Sequence, residues 1–184
     1  MSDDDSVHEG RSAVLSALER ADLDLDETQA ALELASRQLR TRSLAHAAAA
    51  AAGYELTETW GNPALELYAD IRSGYRDVGF LAKGWEDPGF RVGDIVLLPY
   101  PEARLSGVLP ALREQAALRG VALTARESEG VVEIHLEQVL YQDGFNASAL
   151  AGTLTGIGEC RRLIEPLVHE LVREDIERRE YGAS

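Results

Sequence analysis

Cysteine and lysine each occur once in the 184 residues, as Cys160 and Lys83. One cysteine closes no intramolecular disulfide and assembles no zinc knuckle, so the chain fits a reducing compartment. With a single lysine, the basic side chains are almost all arginines, scattered among a larger number of carboxylates. The clustered cations that bind phosphate backbones are missing, which excludes direct binding of nucleic acid. Long apolar runs are missing too, since none approaches the roughly 18 residues of a membrane span. The opening residues, with Asp3 and His8, lack the basic-then-apolar order of a secretory signal. A soluble cytoplasmic protein without a membrane partner is therefore expected. Aromatics make up 6% of the chain, and Trp60, Tyr68, Tyr75, Trp85 and Phe90 gather them in its middle. Most belong to a core, and Trp85, in a Gly/Pro-rich loop, is a candidate exposed anchor, so Trp85 and Phe90 are the partner-binding candidates.

What the chain has in excess is carboxylate. Its net charge is −14, and Met1-Ser2-Asp3-Asp4-Asp5 opens an acidic segment that continues through Asp22, Asp24, Asp26 and Glu27. A basic protein surface is the better electrostatic partner for such a chain; the same acidity also serves solubility or a salty cytoplasm. Hydrophobic residues at 45% and charged residues at 27% are ordinary for a globular protein, and the length suits one principal domain. The expected organisation is an acidic, helical extension over 1–25, one α+β domain over 26–173, and a charged tail over 174–184 that frays.

Helical spacing of Val14, Leu15 and Leu18 predicts a first helix, and Asp24 or Asp26 caps a second that runs through the alanine tract Ala47–Ala52 to Gly53. The period then falls to 2. Tyr54 and Leu56, the turn Gly61-Asn62-Pro63, and Leu65, Leu67, Ala69 and Ile71 predict a β-hairpin. A strand follows near Val78–Leu81, then a loop from Gly84 to Gly93, then Asp94–Leu98 as a buried strand. Helix resumes near Arg104 and stops at Gly120. Val121–Ala125 and Val131–Tyr141 predict two further strands, the second placing Val132, Ile134 and Leu136 on one face and Glu133, His135 and Glu137 on the other. Asn146 is placed to cap a closing helix, which Pro166 should kink or end near Glu165. The order of elements predicts an α+β fold, an antiparallel sheet with helices packed against it and a helical segment before it.

The search for chemistry ends without a catalytic constellation. His169-Glu170-Leu171-Val172-Arg173 begins like a zincin helix, but Arg173 stands where the second histidine is needed. His135 with Glu133 and Glu137 reads as a solvated polar face, with a weak metal site as the alternative. Gly152, Gly156 and Gly158 match neither the P-loop nor the dinucleotide spacing. Ser148, Gly152, Gly156 and Cys160 instead form one small-residue stripe on the closing helix, for packing within the monomer or against a second copy. Cys160 lacks a nearby histidine and reads as a packing residue. No cofactor is expected.

The strand ending Leu97-Leu98-Pro99, the helix opening Glu102-Ala103-Arg104-Leu105, and Ala117-Leu118-Arg119-Gly120-Val121-Ala122-Leu123 form an ordered series. Glu129-Gly130-Val131-Val132 and Asp143-Gly144-Phe145, which leads into the last helix, extend it. From Val96 to Leu171 the chain thereby resembles the YbjN family, whose fold is similar to that of type III secretion chaperones. The resemblance implies a chaperone-like, commonly dimeric module that binds a segment of a protein partner and has no shared active site. The expectation is a non-enzymatic homodimer that docks a protein, with a basic or DNA-binding partner as a special case. The alternative is a small-ligand binder or an enzyme using carboxylates and arginines around the hairpin and the Trp85 loop.

Overall fold

A computed structural model describes residues 25–58, 65–84, 88–98, 105–128 and 130–181. The chain divides into two compact units, Met1–Ser43 and Leu44–Ser184. The expected helix over Arg11–Arg20, the Gly61-Asn62-Pro63 turn, Trp60, Trp85 and Arg104 lie outside the described residues. In the first unit the described part is the start of helix α1, which spans Leu25–Ala51 and carries Asp26 and Glu27 in its first turn. Carboxylates there favour the positive end of the helix dipole.

The second unit opens with the end of α1, where Ala45, Ala48 and Ala49 are buried. Gly53, at φ +82°, closes the helix, and Tyr54 donates its N–H to the Ala49 carbonyl at 2.9 Å. That bond is the hallmark of a left-handed C-terminal cap, a conformation glycine adopts without a Cβ penalty. Six strands follow: β1 (Glu55–Glu58), β2 (Leu65–Ser73), β3 (Arg76–Gly84), β4 (Gly89–Leu98), β5 (Ala122–Ser128) and β6 (Val131–Tyr141). They form one sheet in the order β1-β2-β3-β4-β6-β5, and each neighbouring pair runs antiparallel. Helix α2 (Leu109–Ala117) enters between β4 and β5, and helix α3 (Ala147–Tyr181) follows β6. This is the expected α+β architecture.

The core lies on one face of the sheet. Val132, Ile134 and Leu136 of β6, Phe90, Val92 and Leu98 of β4, and Ala69, Ile71 and Leu81 of β2 and β3 are buried there. Leu109, Leu112 and Ala116 of α2 and Leu150, Leu154, Ile157 and Ile164 of α3 join the same cluster. Each fully buried large side chain contributes about 1.5–3 kcal/mol relative to leaving it in water. One polar clasp crosses this layer: Arg161 of α3 donates to Asp94 of β4 at 2.6 Å.

Three expectations are corrected. The Gly84–Gly93 segment is not all loop, because β4 already starts at Gly89. Its glycines serve close strand packing: a Cβ at Gly93 would lie 2.5 Å from Phe80 Cζ, and one at Gly89 would run into the Leu140 carbonyl. Asp94–Leu98 is not a strand buried on both faces, since Ile95 and Leu97 are 38% and 62% exposed. Pro166 does not end α3, which stays helical to Tyr181, into the stretch expected to fray. An internal proline costs about 3 kcal/mol, but buried Ile164 and partly buried Leu163 and Leu167 hold the turns on either side against the core. Asn146 does cap the helix, its Oδ1 accepting from the Ala149 N–H at 3.0 Å.

Candidate docking surface

The second face of the sheet follows from strand pairing, because residues opposite each other point to the same side. Leu97 stands opposite Glu133, Ile95 opposite His135, Gly93 opposite Glu137, Arg91 opposite Val139 and Gly89 opposite Tyr141. On β5, Arg126 stands opposite Glu133 and Thr124 opposite His135. On the β3 side Phe80 lies opposite Gly93, and its neighbours across β2 are Asp70 and, one row on, Tyr68. None of these positions is in the core cluster.

Val139 at 50% and Tyr141 at 68% are exposed at one end of this surface, and Ile95 and Leu97 at the other. Between them Phe80 fills the space that Gly93 leaves open, stacked on Tyr68 with ring centroids 5.9 Å apart. The Tyr68 hydroxyl is pushed up from its ordinary range by burial and, secondarily, by Asp70. An apolar diagonal thus crosses β4 and β6 on a sheet face that carries charge at intervals.

The charged row on β6 is tied together locally. His135 Nε2 is 3.2 Å from Glu133 Oε2, and Nδ1 is 4.0 Å from Glu137 Oε1. The two carboxylates therefore meet opposite nitrogens of one ring and do not converge on a shared point. Among the described residues no group of three or more His, Cys, Asp or Glu side chains is placed to hold a metal ion.

Of the candidates named from sequence, Trp85 lies outside the described residues. Phe90 is not a surface anchor: it is fully buried, packed on Phe145 with ring centroids 4.1 Å apart. The small-residue stripe is divided. Gly156 lies against the Arg119 carbonyl, 3.3 Å from where its Cβ would be, and Cys160 is buried, whereas Ser148 and Gly152 face solvent with nothing within 4 Å of a Cβ at Gly152. Burial pushes the Cys160 thiol up, against a smaller opposing effect of Arg119. His46, within reach of Glu58 at 3.2 Å, and His135 are held by separate elements. The apolar diagonal was not read from sequence as a site. Its signal was there, in that Asp94–Leu98 is apolar on both alternations while its partner Val131–Tyr141 alternates with charge.

No helix among the described residues is long and apolar enough to cross a membrane. No protein-family model matches the chain, and no curated protein matches it. Among solved structures the chain is similar to the crystal structure of an uncharacterized protein from Methanothermobacter thermautotrophicus, at 10% identity and a TM-score of 0.53. The match covers 72% of this chain and 96% of that one. That likeness is one of fold.

Proposed function

We propose that the chain is a non-catalytic protein-binding module, a chaperone-like adaptor of the cytoplasm that docks a protein partner on the open face of its sheet. The observation that carries this reading is the exposure of Ile95, Leu97, Val139 and Tyr141 on strands whose opposite faces bury Phe90, Val92, Leu98, Val132, Ile134 and Leu136 in the core. Leaving such side chains in water forgoes burial energy, and a partner recovers it on docking. The net charge of −14 favours a partner with a basic surface, a DNA-binding protein being a special case. The resemblance of Val96–Leu171 to the YbjN family supports the same reading and adds a homodimer, for which exposed Ser148 and Gly152 offer a close-approach surface.

The test is to place the photo-crosslinking residue p-benzoylphenylalanine at Leu97, and separately at exposed Glu114 of α2 as the control, in cells of the native host. A different protein captured at Leu97 and not at Glu114, and identified together with its crosslinked segment, is the expected result. Equal capture at both positions, or none at Leu97, overturns the reading.

A further inference from the structure

We infer that the occupant of the open sheet face is an amphipathic helix of the partner, apolar along one ridge and carrying arginine or lysine beside it. This rests on the docking reading and names the chemistry of the partner. The first argument is backbone hydrogen bonding. The N–H and C=O groups of β6 are consumed sideways by β4 and β5, and those of β4 by β6 along its length and by β3 from Arg91 to Gly93. An extended peptide laid across β6 and the Arg91–Gly93 part of β4 would find no backbone partners there and would bury its own unpaired groups, at roughly 1–3 kcal/mol for each one left unsatisfied. A helix brings its backbone bonds with it.

The second argument is length and charge. From Glu133 to Tyr141 along β6 is about 27 Å at ~3.4 Å per residue, which an ~18-residue helix matches at ~1.5 Å per residue. A ridge laid on the diagonal meets Leu97 and Ile95, then the Phe80 ring, then Val139 and Tyr141. In its first half that ridge runs beside Glu133 and Glu137, which flank His135 on the adjacent strand. Arg126 faces Glu133 from β5 and Arg91 stands opposite Val139, so the two arginines lie to the sides and at the far end. Cations on the helix flank nearest β6 meet the two glutamates, and the net charge of −14 adds a long-range pull of the same sign.

The experiment uses the full chain and three synthetic 18-residue probes. One is a leucine-ridged helix flanked by arginine, the second the same helix with glutamate for arginine, and the third the arginine peptide with two central prolines, which cannot stay helical. Fluorescence anisotropy should show the arginine helix binding at least tenfold tighter than either companion. Leu97→Ser and Val139→Ser, which change no charge, should each weaken it severalfold, and Glu133→Arg with Glu137→Arg should reverse the preference between the arginine and glutamate helices. Circular dichroism of each variant reports that the fold persists. Equal binding of the proline peptide, or binding that ignores Leu97 and Val139, overturns the inference. So does a wild-type dimer that Leu97→Ser converts to monomer in light-scattering chromatography, because a second copy then covers the face. If crosslinking at Leu97 captures an extended or acidic segment of another protein, the helix inference fails while the docking reading stands; if nothing is captured there, the docking reading fails.

Discussion

Gly93 is where the open face acquires its aromatic centre, because the missing side chain is the space the Phe80 ring occupies. A Cβ would stand 2.5 Å from Phe80 Cζ and 2.8 Å from Cε1, and 2.9 Å from the Leu136 carbonyl on the neighbouring strand. The ring could swing away, but the carbonyl cannot yield without moving β6. Gly93→Val should therefore lower stability by about 1–3 kcal/mol, the usual cost of overpacking, and should displace the Phe80 ring from Tyr68. Urea denaturation gives the first, and the ring-proton chemical shifts of Tyr68 give the second; unchanged shifts would mean that Gly93 does not set the position of Phe80. Cys160 is the opposite case, a side chain closed in instead of laid open. It is 2% exposed, and burial raises its thiol pKa, so the reactive thiolate is scarce in the folded protein at neutral pH. Alkylation should be slow in buffer and complete in guanidinium, as followed by mass. Because the folded pKa lies above the unfolded one, the thiol contributes stability that is fully present below the ordinary thiol range. That contribution is lost as pH rises through the folded value.

Helix α3 shows what a single cap contributes to an element. Asn146 accepts from the Ala149 N–H through its side chain and donates to the Gly144 carbonyl at 3.1 Å, so it ties the turn after β6 to the helix start. Asn146→Ala should cost about 1 kcal/mol, read as a shift of the denaturation midpoint with unchanged slope; a shift near zero would mean that packing of Leu150 and Phe145 alone starts the helix. This cap was readable from sequence, as were the glycine stops at Gly53 and Gly120 and the alternation of β6, because each depends on residues only a few positions apart. The start of β4 was not. Gly89 and Gly93 look like loop residues until Leu140 and Phe80, distant in sequence, are known to press against them. The exposure of Ile95 and Leu97 was hidden for a related reason. A short apolar strand has the same sequence whether a layer covers its second face or leaves it bare, and only the placement of α2 and α3 on the Val132 side decides between the two. The helix boundary that Pro166 offered is absent, because buried side chains hold the helix on either side of it.

Charge acts on the molecule as a whole. With 32 acidic and 18 Lys or Arg residues the folded chain confines a large excess of one sign, and that self-repulsion opposes compaction. Specific pairs pull the other way. Arg161 meets Asp94, Arg119 lies 3.3 Å from Glu159, and Arg72 lies 3.0 Å from Asp77. These contacts are short and Asp94 is largely shielded, so added salt weakens them less than it weakens repulsion between carboxylates spread over the surface. At 0.1 M ionic strength charges about 10 Å apart still interact, whereas at 1 M the range falls to about 3 Å. The melting temperature should therefore rise on going from 0.05 to 1 M sodium chloride, most steeply below about 0.3 M, and then flatten as screening saturates. Sodium sulfate at equal ionic strength should add a further rise that does not flatten, because it also strengthens apolar burial. A melting temperature that falls over the first 0.3 M of chloride would mean that attractive pairs outweigh the excess charge. The same titration bears on docking: a basic partner steered by this field should associate more slowly as chloride rises, while its dissociation, governed by the apolar diagonal, should change little.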